Sequence, residues 1–293
     1  MSPALLRAWE RRYGVVAPTR TPSGYRLYDD DAIGTLRTMR RLLDEGWSAS
    51  TAAASILAGT TPPGADTPSS DATPRAEAAA PEPVAEELAA RLVRAAGALD
   101  AADVDAALDE LFARGSFERT ADDLLFPALR RLGDAWAAGE VTVAGEHLAS
   151  AAVLRRLGFA LDAAGSGDRP GKRVIVGLPP GGRHELGALA FAVAARRAGL
   201  AVSYVGPDLP IEDWVAAAAR ADAAVLGVIT SRDRKAAVAV ARALLGARPQ
   251  LLVAFGGGAA PDEPGVLRLP MALPDAVAAV AATLSQRSAG SPG

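Results

Sequence analysis

At 293 residues, 50% of them apolar, the chain has material for about two domains or more with packed cores and is not a disordered tail. A net charge of −3 excludes a whole-chain nucleic-acid footprint, so any basic surface has to be local. With no cysteine, disulfides, thiolate nucleophiles, iron–sulfur clusters and cysteine-type zinc sites are excluded, and with no uncharged apolar run of about 18 residues and no signal-peptide core a soluble cytoplasmic protein is expected.

Ser2-Pro3 ahead of Ala4, Leu5, Leu6, Ala8 and Trp9 supplies an N-cap, a proline for the first turn and an apolar stripe, which predicts a helix to Tyr13 stopped by Gly14. Its other face carries Arg7, Arg11 and Arg12. Pro18 to Tyr28 is turn-rich, flanked by short extended pieces that expose Arg20 and Arg26, and two further helices are expected over 30–45 and 48–57. An arginine helix followed by an arginine hairpin suits a major-groove reader with a wing on the adjacent backbone. A small helical dimerisation domain with solvated arginines has the same outline. The wording of the motif, Leu6-Arg7-x-Trp9-Glu10-Arg11-Arg12-Tyr13-Gly14, then Pro18-x-Arg20 and Gly24-Tyr25-Arg26-Leu27-Tyr28, resembles the winged helix-turn-helix of MerR-type regulators. That resemblance implies an all-α winged-helix DNA-binding domain over residues 1–58, with Arg7, Arg11, Arg12, Arg20, Tyr25 and Arg26 on promoter DNA. The short first helix with which that family begins is missing ahead of Ser2.

From Gly59 to Pro83 the composition of Thr, Pro, Ala, Gly, Ser and Asp has no apolar period and predicts a disordered tether. Residues 84–166 read as four helices, Val84–Leu99, Val104–Arg114, Phe117–Ala137 and Thr142–Ala163. Leu88, Leu92 and Val93, then Leu108, Leu111 and Phe112, then Leu124, Leu125, Leu129 and Leu132 recur at helical spacing, which predicts a four-helix bundle. Within it Trp136 is followed after nine residues by Glu146-His147. Each alone reads as a core cap or a surface pair; together they suit a flat base with a ribose, stacked on the indole and hydrogen-bonded by the polar pair.

Residues 171–287 alternate strands (173–178, 201–205, 223–229, 250–255, and a short 266–269) with helices (185–198, 211–220, 232–245, 274–284). Near-continuous apolar strands alternating with helices predict a parallel sheet covered on both faces, a flavodoxin-like (Rossmann-like) α/β fold, and 288–293 is left as a flexible tail. No Gly-x-Gly-x-x-Gly follows the first strand and no Walker lysine is present, which weakens nucleotide-binding readings. The second of the two histidines, His184, follows Pro179-Pro180-Gly181-Gly182-Arg183 at the mouth of the first strand-to-helix loop, where open sheets of this kind bind ligands. The plainer reading is a helix-start histidine facing solvent.

A helical bundle followed by such a fold, with His184-x-x-Gly187 in the first loop and a Gly256-Gly257 turn after the fourth strand, resembles the cobalamin-binding module. Joined to the MerR-type head and to Trp136-x9-Glu146-His147, it resembles the CarH/LitR light-responsive regulators. The resemblance implies that His184 ligates cobalt from below. It implies that Gly187, Thr230, Gly256 and Gly257 accommodate the nucleotide tail, and that Trp136, Val143, Glu146 and His147 contact the upper adenosyl group of adenosylcobalamin. It further implies a non-enzymatic repressor, tetrameric on DNA in the dark and released by light.

Three positions depart from that pattern. Gly182 stands where an acidic residue usually precedes the ligating histidine, leaving Glu185 as its substitute. Gly227 stands where a serine commonly meets the buried base, with Thr230 and Ser231 nearby. Ala137 stands where some members carry a further histidine. The alternatives that remain are a light-independent repressor sensing a cobalamin or another tetrapyrrole, a corrinoid enzyme component, and a regulator that has lost its cofactor.

Overall fold

The computed structural model describes residues 15–16, 19–20, 26–29, 32–36, 38–39, 56, 83–165 and 171–289. It divides into two compact units, Met1–Ala80 and Pro81–Gly293. In the first, strands β1 (Thr19–Arg20) and β2 (Arg26–Leu27) form an antiparallel hairpin that sets Arg20 opposite Arg26. Residues 32–36 and 38–39 are helical within the expected 30–45 helix. Asp29 starts that segment by accepting the Ala32 N–H at 2.8 Å on its side chain and the Ile33 N–H on its carbonyl. Val15, Val16, Leu36 and Met39 are buried. The expected 2–13 helix with Arg7, Arg11 and Arg12, together with Tyr25 and the tether through residue 82, lies outside the described residues.

The second unit begins with helices α1 (Pro83–Gly97) and α2 (Ala101–Phe112), the latter capped by the Asp100 side chain. The expected third helix is a rod of three parts: α3 (Phe117–Thr120), a π turn (Ala121–Leu125) and α4 (Phe126–Ala138). Proline 127 explains the interruption. It donates no backbone hydrogen bond and crowds the preceding turn, and the chain answers with a widened turn in which the Phe126 N–H reaches back to the Ala121 carbonyl. Gly139, at φ 81°, ends the rod in the left-handed region. Helix α5 (Val143–Ala163) starts at Thr142, whose hydroxyl accepts the Gly145 N–H at 3.1 Å. Leu88, Leu92, Leu108, Leu111, Leu125, Leu132 and Leu157 are buried together between these helices, each contributing roughly 1.5–3 kcal/mol of burial.

Strands β3 (Arg173–Gly177), β4 (Ala201–Gly206), β5 (Ala223–Gly227), β6 (Leu252–Gly256) and β7 (Val266–Arg268) make one parallel sheet in the order β4-β3-β5-β6-β7. That is the flavodoxin-like order, and the direction in which strands are added reverses at β3 and β5. Helices α6 (Leu186–Arg197) and α9 (Leu273–Ala289) cover one face. Helices α7 (Ile211–Ala217) and α8 (Asp233–Ala247) cover the other around Trp214, Leu226 and Phe255.

The bundle is seated on the α6/α9 face, where α5 packs along α6 and the apolar core runs unbroken from Leu92 to Val176. Among the described residues three side chains tie that seam together. Arg196 donates to the Leu161 and Gly165 carbonyls at 3.0 Å each, Arg197 pairs with Glu118 at 2.7 Å, and Asp122 in the π turn accepts the Leu273 N–H at 2.9 Å. Burial works against the Glu118 charge, but the Arg197 guanidinium outweighs it and holds this carboxyl below its usual range. No described helix is long and apolar enough to cross a membrane.

Candidate cofactor site

A cavity of 1010 Å³ lies between the bundle and the carboxyl ends of β3, β5 and β6, at the point where the strand order reverses. Its sheet-side wall combines a strapped loop and several glycines with apolar side chains of the strands and α6. The loop after β3 turns at Gly181 and is strapped to the end of β4. The Gly181 N–H donates to Asp208 Oδ1 at 2.6 Å, the Asp208 N–H donates to the Gly182 carbonyl at 3.0 Å, and Tyr204 donates its hydroxyl to Glu185 Oε2 at 2.7 Å. Burial, and then the Glu185 carboxylate, push the Tyr204 phenol far above its ordinary range, so it remains a donor. The strap leaves His184 exposed on the cavity rim with no hydrogen bond to any described residue. Glu185, the expected substitute partner for that imidazole, spends its carboxylate on Tyr204 instead.

Glycines complete this wall. Gly257, at φ 105°, comes so close to β5's extension that a Cβ there would sit 2.5 Å from the Val228 carbonyl oxygen. A Cβ at Gly227 would meet Ala188 Cβ at 3.3 Å, and one at Gly182 would meet the Pro179 carbonyl oxygen at 3.0 Å. The acid and the serine that the resemblance would put at 182 and 227 therefore require neighbouring atoms to give way.

The opposite wall is built from side chains. Helix α4 presents Phe126, Leu129, Arg130, Gly133 and Trp136, and α5 presents Glu146, His147, Ser150, Ala151 and Leu154, each set at helical spacing. Trp136 is 42% exposed although it lines the cavity, and the His147 side chain is 73% exposed. Ser150 Oγ donates to Glu146 Oε1 at 2.6 Å, and His147 Nε2 lies 3.6 Å from Oε2.

Of the expected cofactor residues, His184, Trp136, Glu146, His147, Gly187, Gly256 and Gly257 all line this one cavity. Thr230 and Val143 do not. Thr230 turns its hydroxyl to Asp233 Oδ2 at 2.9 Å and its N–H to the same oxygen at 2.8 Å, which ties the loop after β5 to the first residue of α8. Val143, the first residue of α5, is 55% exposed to solvent. Reasoning from sequence passed over Phe126, Arg130, Ser150 and Leu154. Counting helical steps back from Trp136 and forward from Glu146 would have found them. Met271, on the loop after β7, and Leu273, at the start of α9, carry no local signal.

Among the described residues no group of three or more His, Asp or Glu side chains converges as a metal cage. A bare ion at His184 would have one imidazole and water. A metal that arrives with its equatorial ligands fixed in a macrocycle needs only an axial ligand, and a broad cavity with an exposed imidazole on one wall and an indole on the other suits such a group.

The family model of the MerR HTH family regulatory protein matches residues 1–57, and that of the B12 binding domain matches residues 88–160. The HTH-type transcriptional repressor CarH of Myxococcus xanthus is 35% identical over 258 residues, covering 87% of this chain and 84% of that protein. The repressor CarA of the same organism is 34% identical over 209 residues, covering 71% of this chain and 64% of that protein. The Methanosarcina barkeri monomethylamine corrinoid protein superposes with a TM-score of 0.56 at 16% identity, over 68% of this chain and 99% of that one, a likeness of fold.

Proposed function

The chain belongs to the CarH-type transcriptional repressors, which join a MerR-type DNA-binding head to a B12-binding domain, and from that premise we propose that it represses transcription in the dark as the adenosylcobalamin-bound form and releases DNA in light. It is a DNA-binding, cobalamin-binding regulator and not an enzyme.

One observation carries the finer reading: His184 on the sheet-side wall and Trp136, Glu146 and His147 on the bundle wall face one cavity. In this reading the His184 imidazole, on a loop placed by the Tyr204 and Asp208 straps, would hold the cobalt, and Gly256 and Gly257 would leave space for the nucleotide tail. Trp136 stacks on the adenine, and Glu146 and His147 hydrogen-bond the ribose. Bound adenosylcobalamin supplies a cobalt–carbon bond that visible light breaks.

When the upper group is gone, Trp136, Glu146 and His147 lose the partner that fixes α4 and α5 against the sheet, and the bundle resettles. Copies of the chain assemble as tetramers through the dark arrangement, gathering heads on the tether that precedes α1 into one multivalent binder in which Arg7, Arg11, Arg12, Arg20, Tyr25 and Arg26 meet the operator. Light thus biases assembly, and linkage carries the bias to DNA affinity.

The test reconstitutes the full chain with adenosylcobalamin in darkness and follows its visible spectrum, its size on gel filtration and promoter binding before and after green light. A retained chromophore with irreversible band changes, a larger dark species that falls apart, and loss of DNA binding are expected. Unchanged size and DNA binding under illumination would leave a light-independent cobalamin sensor, and failure to retain the corrinoid on desalting would remove cobalamin altogether.

A further inference from the structure

Glu146 is a carboxylate on a mostly apolar wall with no fixed cation beside it. Arg130 and Arg183 line the same cavity, yet among the described residues neither forms an ion pair with it, and the basic side chain within ion-pair reach is His147, at 3.6 Å. What holds it is Ser150, one helical turn along α5. The serine hydroxyl donates to Oε1 at 2.6 Å, and both side chains lie on the cavity wall. With Oε1 engaged, the lone pairs of Oε2 are left for whatever enters.

We propose that Ser150 is a positioning residue that determines upper-ligand specificity, orienting the Glu146 carboxylate to accept hydroxyl donors from a sugar and so favouring a ribose-bearing upper group over a simple alkyl group. The assignment rests on the cobalamin reading of the cavity and adds to it the source of its selectivity. A glutamate free to rotate loses side-chain entropy when a ligand orders it, and the serine bond removes much of that loss beforehand. An alkyl upper group offers no donor, so it desolvates Oε2 without replacing the lost water. Sites built to hydrogen-bond a hydroxyl discriminate strongly against ligands that lack one for this reason.

The experiment titrates the full chain in darkness with adenosylcobalamin and, separately, with methylcobalamin. The unsubstituted protein is expected to favour adenosylcobalamin. Ser150→Ala should weaken adenosylcobalamin binding about tenfold and leave methylcobalamin binding unchanged, while Ser150→Thr, which keeps the hydroxyl, should retain the preference. Equal losses for both corrinoids, or no loss for either, overturn the assignment while the cobalamin reading stands. An unsubstituted protein that binds both equally overturns it as well, and one that binds neither defeats the cobalamin reading and this assignment with it.

Discussion

The two walls of the cavity are made by different means. The sheet-side wall is shaped by backbone: a loop strapped to β4 through Asp208 and Tyr204, and a glycine turn in which a side chain at Gly257 would strike the Val228 carbonyl. The bundle wall is side chains on two helices, with a half-exposed indole and an exposed imidazole that have few partners of their own. Such a contrast separates holding from reading. A wall locked by its own hydrogen bonds keeps its shape whatever is bound, whereas one whose indole and imidazole lack such partners takes their order from the ligand and loses it with the ligand.

Substitutions on the two walls should therefore fail differently. The largest effect is expected for Gly257→Ala, which combines a strained left-handed φ with a contact against the Val228 carbonyl. A loss of roughly 2–4 kcal/mol, read as a lowered thermal midpoint even without cofactor, is the outcome, and an unchanged midpoint would show that this wall is not rigid. His184→Ala comes next. It should weaken cobalamin at least about tenfold in a titration while shifting stability by less than about 0.5 kcal/mol, because the side chain is exposed and unpartnered. Trp136→Ala should cost the fold under about 1 kcal/mol and erase the preference for adenosylcobalamin; a large drop in midpoint would make the indole a core residue and erase the contrast between the walls.

The smallest effect concerns the seam beneath the bundle. Burial raises the Asp122 carboxyl above its usual 3.8, against the opposing pull of the Leu273 N–H. The folded state therefore binds this proton more tightly than the unfolded chain does. The stabilisation is full below 3.8 and is lost as pH rises through the folded value. Asp122→Asn, which keeps an acceptor for Leu273, should raise the melting midpoint slightly at neutral pH and lose that advantage near pH 4. A variant less stable at neutral pH would mean that the charge itself anchors the seam.

Much of this architecture could be read from the chain, because its signals are local. Apolar runs bounded by glycine and proline located the strands, and the break at Pro179-Pro180 placed His184 at the first loop, on the edge where ligands bind. Leucine spacing delivered the bundle. What escaped was set by tertiary contact or by a competing local bond. Thr230 stands one strand-length from the glycines, but a buried Asp233 claims its hydroxyl. Glu185 follows the histidine in sequence and is taken by a tyrosine from the neighbouring strand. Met271 reaches the cavity only because β7 sits at the sheet's edge and its following loop leads back to α9. The widened turn at 121–125 had one local cue, Pro127, inside a stretch whose apolar period otherwise reads as uninterrupted helix.

That widened turn governs the aim of everything after it. An α-helix advances about 100° per residue, and a π turn acts as a single inserted residue, so it resets the phase of the whole downstream segment. Rewinding Ala121–Leu125 as ordinary α-helix at the same chain length would carry Phe126, Leu129 and Trp136 about 100° around the axis, away from the histidine they now oppose, whereas deleting one residue there would restore an even winding and keep their aim. Point substitution of the indole can change what that helix recognises, but the direction in which it looks is set by the winding about three to four turns upstream.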